Sequence, residues 1–418
     1  MKNTLHFLAV CCVCFFLVFF SGTGAFTAEL ETTEDEETVA YTFWLERHDA
    51  SEADATAIME KCRQAMELCR ELFLSAETEN SPYYPSGAVF TQQTVDNIEA
   101  LLADHGYPVV DSDGFYPSNL QNADGLTAFL RAIEDRASAR QDIVYVSKYG
   151  QLDWFSFFCT EGSLYCVRGS AGFDEDGNLS MATPQQGPVL DLGLTDSGYF
   201  YYQLQPLNNH AEAYSSVLTA PPDQVLYDLC AKYILPVGYQ GNNLFLLDWD
   251  SADYGSLSFN DLLEYLYLIR HDYLDTASFS LASDGIYSVP AEIFEDAVLP
   301  YFDISLEQFR AASLHDAATD TYPWQRSGFM NVTYFPPLTP YVSEFRENGD
   351  GTITITVDVL CFDLQAFPLF THEVTIRPHD DGRFQYLANA VTYKSGIDFP
   401  NTKPRLSDLA NERANDDN

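Results

Sequence analysis

Gly351-Thr352-Ile353-Thr354-Ile355-Thr356-Val357-Asp358 alternates polar and β-branched apolar residues without a break. A period of two puts Ile353, Ile355 and Val357 on one face, the mark of a half-buried strand. Phe370 to Ile376 and Phe384 to Tyr393 read as further strands, separated by Asp380-Asp381-Gly382, a hairpin-type turn. Upstream the period changes to that of helices. Asp223 to Tyr233 reads as a short helix after Ala220-Pro221-Pro222. Ser258-Phe-Asn-Asp261 starts another, with Leu262, Leu263, Leu266 and Ile269 inward. Pro290 opens a third that ends at Leu299-Pro300. Ser305 and Gln308 form a capping box for a fourth, which should cover Leu306, Phe309 and Leu314.

The first half repeats this order. Asp49-Ala-Ser-Glu52 supplies an N-cap, and Ile58, Met59, Cys62, Met66, Cys69 and Phe73 follow at helical spacing. Thr91 begins a helix with Val95, Ile98, Leu101 and Leu102 inward, stopped by Gly106 and Pro108. Leu126, Phe129, Leu130 and Ile133 mark a third. Strands then take over at 143–147, in a hairpin of 152–159 and 164–168, and at 199–204. The fold class is α+β, in two modules, each of helices followed by a mainly antiparallel sheet. The expected divisions are a signal peptide at 1–28 and an acidic leader at 29–43. An N-terminal domain at 44–220, a C-terminal domain at 221–400 and a disordered tail at 401–418 follow.

The chain of 418 residues carries 21 Lys+Arg against 62 Asp+Glu, a formal charge of −41. No tail holds this charge: residues 29–220 have 9 basic against 32 acidic, and 221–418 have 11 against 30. Such a field opposes nucleic acid and anionic lipid, which need a cationic surface. With 46% hydrophobic residues, a disordered acidic chain is also excluded.

Lys2, an apolar run from Leu5 to Phe20, then Ser21-Gly-Thr-Gly-Ala25 is the layout of a secretory signal. Cleavage falls after Ala25 or Ala28, with a retained signal anchor as the competing reading. Leu8-Ala-Val-Cys11 is not a lipidation box, because Val10 stands where a small residue is needed. No other run is apolar and long enough to span a bilayer, so the mature part has no membrane span. The expected location is secreted, or on the extracellular face of the cell envelope.

Six cysteines lie beyond the signal: 62, 69, 159, 166, 230 and 361. Cys62 and Cys69 are seven residues apart on one helix, about 10.5 Å, too far for a disulfide. If Gly162-Ser163 form a two-residue turn, Cys159 stands opposite Cys166, the best disulfide candidate. No Cys/His spacing suggests zinc.

Val237-Gly-Tyr-Gln-Gly-Asn-Asn-Leu-Phe-Leu-Leu-Asp-Trp249 and Leu257-Ser-Phe-Asn-Asp-Leu-Leu-Glu264 resemble an uncharacterised family of exported proteins and lipoproteins from Gram-positive gut anaerobes. Val289 to Glu295, Pro300 to Ser305, Tyr322-Pro-Trp324 and Asp381 to Tyr386 add to the likeness, which is strongest from 230 to 395. That family is a domain of unknown function. The resemblance implies export and a bacterial surface context, and it carries over no catalytic residue. The missing lipidation box departs from its lipoprotein members.

Asp248, Trp249, Asp250 and Asp253 are the candidate ligand or metal residues. Carboxylates on an extended segment can project together for calcium or for acid/base work, and Trp249 can stack on a sugar. Helix capping is the competing reading. The acidic turns at 174–178, 348–351 and 380–382 read as hairpin turns, since none continues to the Glu that completes an EF-hand loop. His372-Glu373 is not followed by a second zinc-binding His, and Gly169-Ser-Ala-Gly172 is one residue short of a nucleophile elbow. No phosphate or dinucleotide loop is present. No cofactor is expected beyond possible calcium. The leading expectation is a non-catalytic exported protein of the bacterial envelope that binds an extracellular ligand or an envelope protein. The alternatives are a glycan or peptide hydrolase using the acids near 248–253, and calcium-dependent adhesion.

Overall fold

The computed structural model describes residues 52–80, 88–111, 118–160, 162–205, 214–271, 273–327 and 337–407. The expected signal, the leader, the cap at 49–51 and residues 408–418 lie outside these. The chain is mixed α+β, in two compact units that meet in sequence at Pro222 and Asp223.

The N-terminal unit begins with α1 (Glu52–Leu68) and α2 (Arg70–Leu74), a short hairpin β1 (Thr78–Asn80) and β2 (Ala88–Phe90), and α3 (Gln92–Asp104). As the spacing requires, Ile58, Cys62, Met66, Cys69 and Phe73 are buried from the first helical segment, and Val95, Ile98 and Leu102 from α3. Thr91 caps α3 by accepting from the Thr94 N–H, and Gly106 leaves the helix at φ +79°. Then come β3 (Val110–Asp111), β4 (Asn119–Leu120), α4 (Asp124–Glu134) and seven strands. These are β5 (Ala139–Ser147), β6 (Gln151–Thr160), β7 (Ser163–Phe173), β8 (Leu179–Met181), β9 (Gln185–Leu194), β10 (Tyr199–Leu204) and β11 (Ser215–Leu218).

The strand order is β3-β4-β11-β10-β9-β7-β6-β5, with β8 beside β7. A parallel bridge from Val109 to Val144 joins the two ends of this order, so the sheet curls round and closes on itself. The convex face packs on α1 and α3 through Leu152, Trp154 and Val167. The contact is so close at Gly169 that a Cβ there would sit 3.1 Å from the Met59 sulfur. The concave face packs on α4 through Ile143, Phe157, Phe200 and Val217.

One register differs from expectation. The β6–β7 hairpin pairs Thr160 with Ser163, so Gly162, at φ +86°, is the second central residue of the turn, not the first. Cys159 therefore faces Leu164, and Cys166 faces Phe157. The register on which a Cys159–Cys166 bond was expected is absent, and both cysteines are buried and outside any disulfide. The slip is an even one, so both still point to the concave side.

The C-terminal unit opens with α5 (Gln224–Leu229), capped by Asp223, which accepts from the Val225 and Leu226 N–H groups. The expected helix to 233 does not stay α-helical: Cys230–Ile234 widens into a π turn closed by Leu235 N–H to Cys230 O at 3.0 Å. There follow β12 (Trp249–Asp250), α6 (Phe259–Leu268), β13 (Ser280–Leu281), β14 (Tyr287–Pro290), α7 (Ala291–Val298) and α8 (Leu306–Ala312). The unit ends with β15 (Thr321–Trp324), β16 (Thr339–Glu347), β17 (Ile353–Cys361), β18 (Ala366–Pro378) and β19 (Phe384–Lys394). The main sheet is an antiparallel meander in the order β12-β19-β18-β17-β16, and β13-β14-β15 form a small second sheet. The alternating stretch at 353–358 is the middle of β17, as its period demands, with Ile355 and Val357 fully buried.

The capping box of Ser305 and Gln308 forms, and Phe309 is buried; Leu306, expected inside, is exposed at the first helical position. The other correction is at the C-terminus. Residues 401–407, expected to be disordered, lie against α6, with Leu406 and Arg405 buried.

Candidate functional site

The acidic segment at 248–253 is ordered by its own backbone. Trp249 is 5% exposed, donates from Nε1 to Leu244 O at 2.8 Å and stacks on Tyr254. It is a core residue, not an open sugar platform. Asp250 accepts from the Ala252 and Asp253 N–H groups at 2.8 and 3.0 Å, and Asp253 from the Gly255 N–H at 2.9 Å. Asp248 reaches the edge of β19 and accepts from the Val391 N–H at 2.7 Å, in the place of a ladder bond. The structure keeps these four residues together, and the three carboxylates cap turns and a strand edge. The acidic turns at 174–178, 348–351 and 380–382 are hairpin turns, each with a glycine at φ +76° to +85°. Among the described residues no three His, Cys, Asp or Glu side chains converge as a metal site would need.

Two polar clusters are built into the C-terminal core. His372 is fully buried; its Nε2 lies 2.9 Å from Tyr239 OH and its Nδ1 2.8 Å from Asn389 Oδ1. Asn389 Nδ2 donates to Leu247 O, so Oδ1 is left to accept from Nδ1–H and Nε2 accepts from tyrosine. Burial lowers this imidazole to about 4. In the second cluster Arg405 binds Asp261 Oδ1 at 2.9 Å and Glu264 Oε1 at 2.8 Å, all three side chains being 15% exposed or less. Burial holds the Glu264 carboxyl above its usual range, against the pull of Arg405. Burial also lifts the Cys62, Cys69 and Cys230 thiols to about 12 and Cys361 to about 11, so none is a thiolate at neutral pH.

The arrangement that faces solvent and still has chemistry to offer lies on the concave side of the N-terminal sheet. Alternation on β5, β6 and β7 carries Ile143, Tyr145, Asp153, Phe155, Phe157, Cys166, Arg168 and Ser170 to this side. Registers align them in rows: Tyr145 with Asp153 and Ser170, and Ile143 with Phe155, Arg168 and Gln185. Where α4 covers the sheet, at Phe157 and Cys166, the face is sealed; beyond it, Tyr145, Asp153, Phe155, Arg168 and Ser170 are only half-buried.

The rings there meet edge-on. Tyr145 and Phe155 are 5.4 Å apart, Phe157 and Tyr202 4.8 Å, and the Tyr145 and Tyr202 hydroxyls 3.1 Å. The Arg168 guanidinium lies 5.9 Å from the Phe155 centroid. Burial pushes the Asp153 carboxyl above its ordinary range, against a hydrogen bond from Ser170. A recess opens beside Arg168, walled by Cys166, Gln185, Gly187, Leu204 and Gln205. The arrangement sets a carboxyl, a serine hydroxyl and a guanidinium beside aromatic rings.

These residues are distant from one another in sequence, so no local motif marks them. The available signal was a charge at an inward position: Asp153 and Arg168 fall in step with Phe155, Phe157, Leu164 and Cys166. A charge on the apolar beat of a strand is costly unless it is paired or near solvent.

No curated protein and no solved structure matches the chain. One family profile does, over residues 55–405, nearly the full extent of both units and ending at the buried Arg405. The chain belongs to the family of unknown function DUF6070.

Proposed function

We propose that this chain is an exported, non-catalytic binding protein of a Gram-positive cell envelope, and that the concave face of its N-terminal sheet holds the ligand. Export is supported by Lys2, the apolar run 5–20 and the small residues 21–25, and by the even acidic charge. The observation that carries the binding reading is the pair of half-buried rows, Tyr145, Asp153 and Ser170 in one and Phe155 and Arg168 in the other, on a concave, aromatic surface. Ligand sites are typically concave and mostly apolar, with a few converging polar groups. Elsewhere the acids that drew attention in the sequence already accept backbone N–H groups, and burial raises the Cys62, Cys69, Cys230 and Cys361 thiols.

The test is fluorine NMR of the full chain carrying fluorotyrosine, titrated with a low-molecular-weight extract of Gram-positive envelope. Signals of Tyr145 and Tyr202, assigned by Tyr→Phe variants, should shift, while those of the exposed Tyr149 and Tyr273 should not. If Tyr145 and Tyr202 stay still, the concave face is not the ligand site.

A further inference from the structure

We propose that residues 38–46 add as one more strand along the outer edge of β9, covering 190–194. β9 has two halves. Residues 185–188 pair with β7, from Gln185 opposite Arg168 to Pro188 opposite Tyr165. Residues 189–194 pair with β10, from Val189 opposite Leu204 to Leu194 opposite Phe200, and with no other strand among the described residues. β7 begins only at Ser163, so β9 runs on past the β6–β7 turn. Such an edge is a template for a further strand. It is also apolar: Leu190 is 52% and Leu194 46% exposed, and Leu192 lies half-buried over the concave core.

The occupant stands in the sequence just ahead of α1. Thr38-Val-Ala-Tyr-Thr-Phe-Trp-Leu45 is uncharged and rich in β-branched and aromatic residues, between the acids of 29–37 and Glu46. Its period of two puts Val39, Tyr41, Phe43 and Leu45 on one side, as cross-strand partners for Leu192 and Leu194. Left open to water, a run of this kind is an aggregation hazard, so pairing it with the edge covers two liabilities at once.

The start of α1 stands within reach. The first helices follow β7 in its own direction, with Met59 against Gly169 and Phe73 5.9 Å from Phe173. Glu52 therefore lies toward the Tyr165 end of β7. Burial, joined by the Asp54 carboxylate, pushes the Tyr165 hydroxyl up, as this placement requires. Tyr165 is opposite Pro188, which puts the open edge about 10 Å away at ordinary strand spacings. From Glu46 to Glu52 the chain can span up to about 20 Å. A second copy of the chain is the rival occupant. The short tether favours the chain's own segment, which it holds at an effective concentration on the order of millimolar.

Hydrogen exchange read by mass spectrometry on the full chain is the test. Amides of 38–46 should exchange at least about tenfold more slowly than in Thr42→Pro, because proline removes a ladder donor. In the same variant about two or three amides of 190–194 should lose protection, since alternate residues face the added strand. Peptides from β6 and β10 should not change, which shows that the N-terminal unit stays folded. Phe43→Asp, which keeps the N–H but charges the apolar side, should act in the same direction. Exchange of 38–46 as fast in the native chain as in Thr42→Pro overturns the proposal. So does slow exchange there with no change at 190–194, which would place the segment on another surface. Protection of 190–194 that Thr42→Pro leaves intact and dilution removes would assign the edge to a second copy, and overturns it equally. The exchange is read without ligand, so its outcome is separate from that of the fluorotyrosine titration.

Discussion

His372 sits where a charge has no answer. Tyr239, Phe245, Phe370 and Asn389 surround it, and the hydrogen bonds use the neutral tautomer. Its folded value of about 4 lies below the ordinary 6.5, so the unfolded chain takes up the proton first as pH falls. Stability is therefore full above pH 6.5 and lost between there and pH 4, by about 3 kcal/mol in total. Urea unfolding of the C-terminal core, followed from pH 7 to 4.5, should show this step in the native chain. His372→Gln should be less stable at pH 7 and should lack the step. An equal pH slope in both chains would mean that carboxylates elsewhere carry the acid loss.

At the scale of elements, the last described segment closes on α6 through one arginine. Asp261 and Glu264 share a helix face, and Arg405 binds both, adding a contact from NH2 to Asp261 O at 3.0 Å. Asn243 steadies the segment by donating to Thr402 O at 3.1 Å. Arg405→Met should cost about 3–5 kcal/mol, because it leaves two carboxylates buried without a cation. The triple variant Asp261→Leu, Glu264→Met, Arg405→Met should recover most of that loss, since apolar side chains of similar size remove the need for pairing. Chemical denaturation measures both. A single variant as stable as the native chain would show that the segment contributes little. The β6–β7 hairpin makes a related point. Its alternation was readable, but a turn placed one residue away moves every cross-strand partner by two, and the composition of 159–166 is compatible with either turn.

For the whole molecule, the acidic surface and the first twenty-eight residues bear on where the protein works. Expressed in an export-competent Gram-positive host, the full chain should appear outside the membrane, with an intact mass shortened by residues 1–25 or 1–28. An intracellular chain of full mass would refute export; a full-mass chain in the envelope would identify a retained anchor.

Much of the architecture follows from local pattern: the helix stripes of α1, α3 and α6, the caps at Thr91 and Ser305, and the alternation of β17 each arise from neighbours in sequence. The apolar period fixes which face is buried, and a cap must lie beside the N–H it serves. The closure of the N-terminal sheet through Val109 and Val144, the burial of Arg405 on α6 and the Arg168 recess required the tertiary structure. Each joins residues whose separation in sequence has no chemical signature until strands are registered and helices packed. Asp248, Asp250 and Asp253, close in sequence and acidic, had the visible signal, yet the fold uses them for turns and a strand edge. Amino-acid order determined which segments are helix or strand and which faces are apolar. Only packing decided which charges meet, because that depends on distances across the chain and not along it.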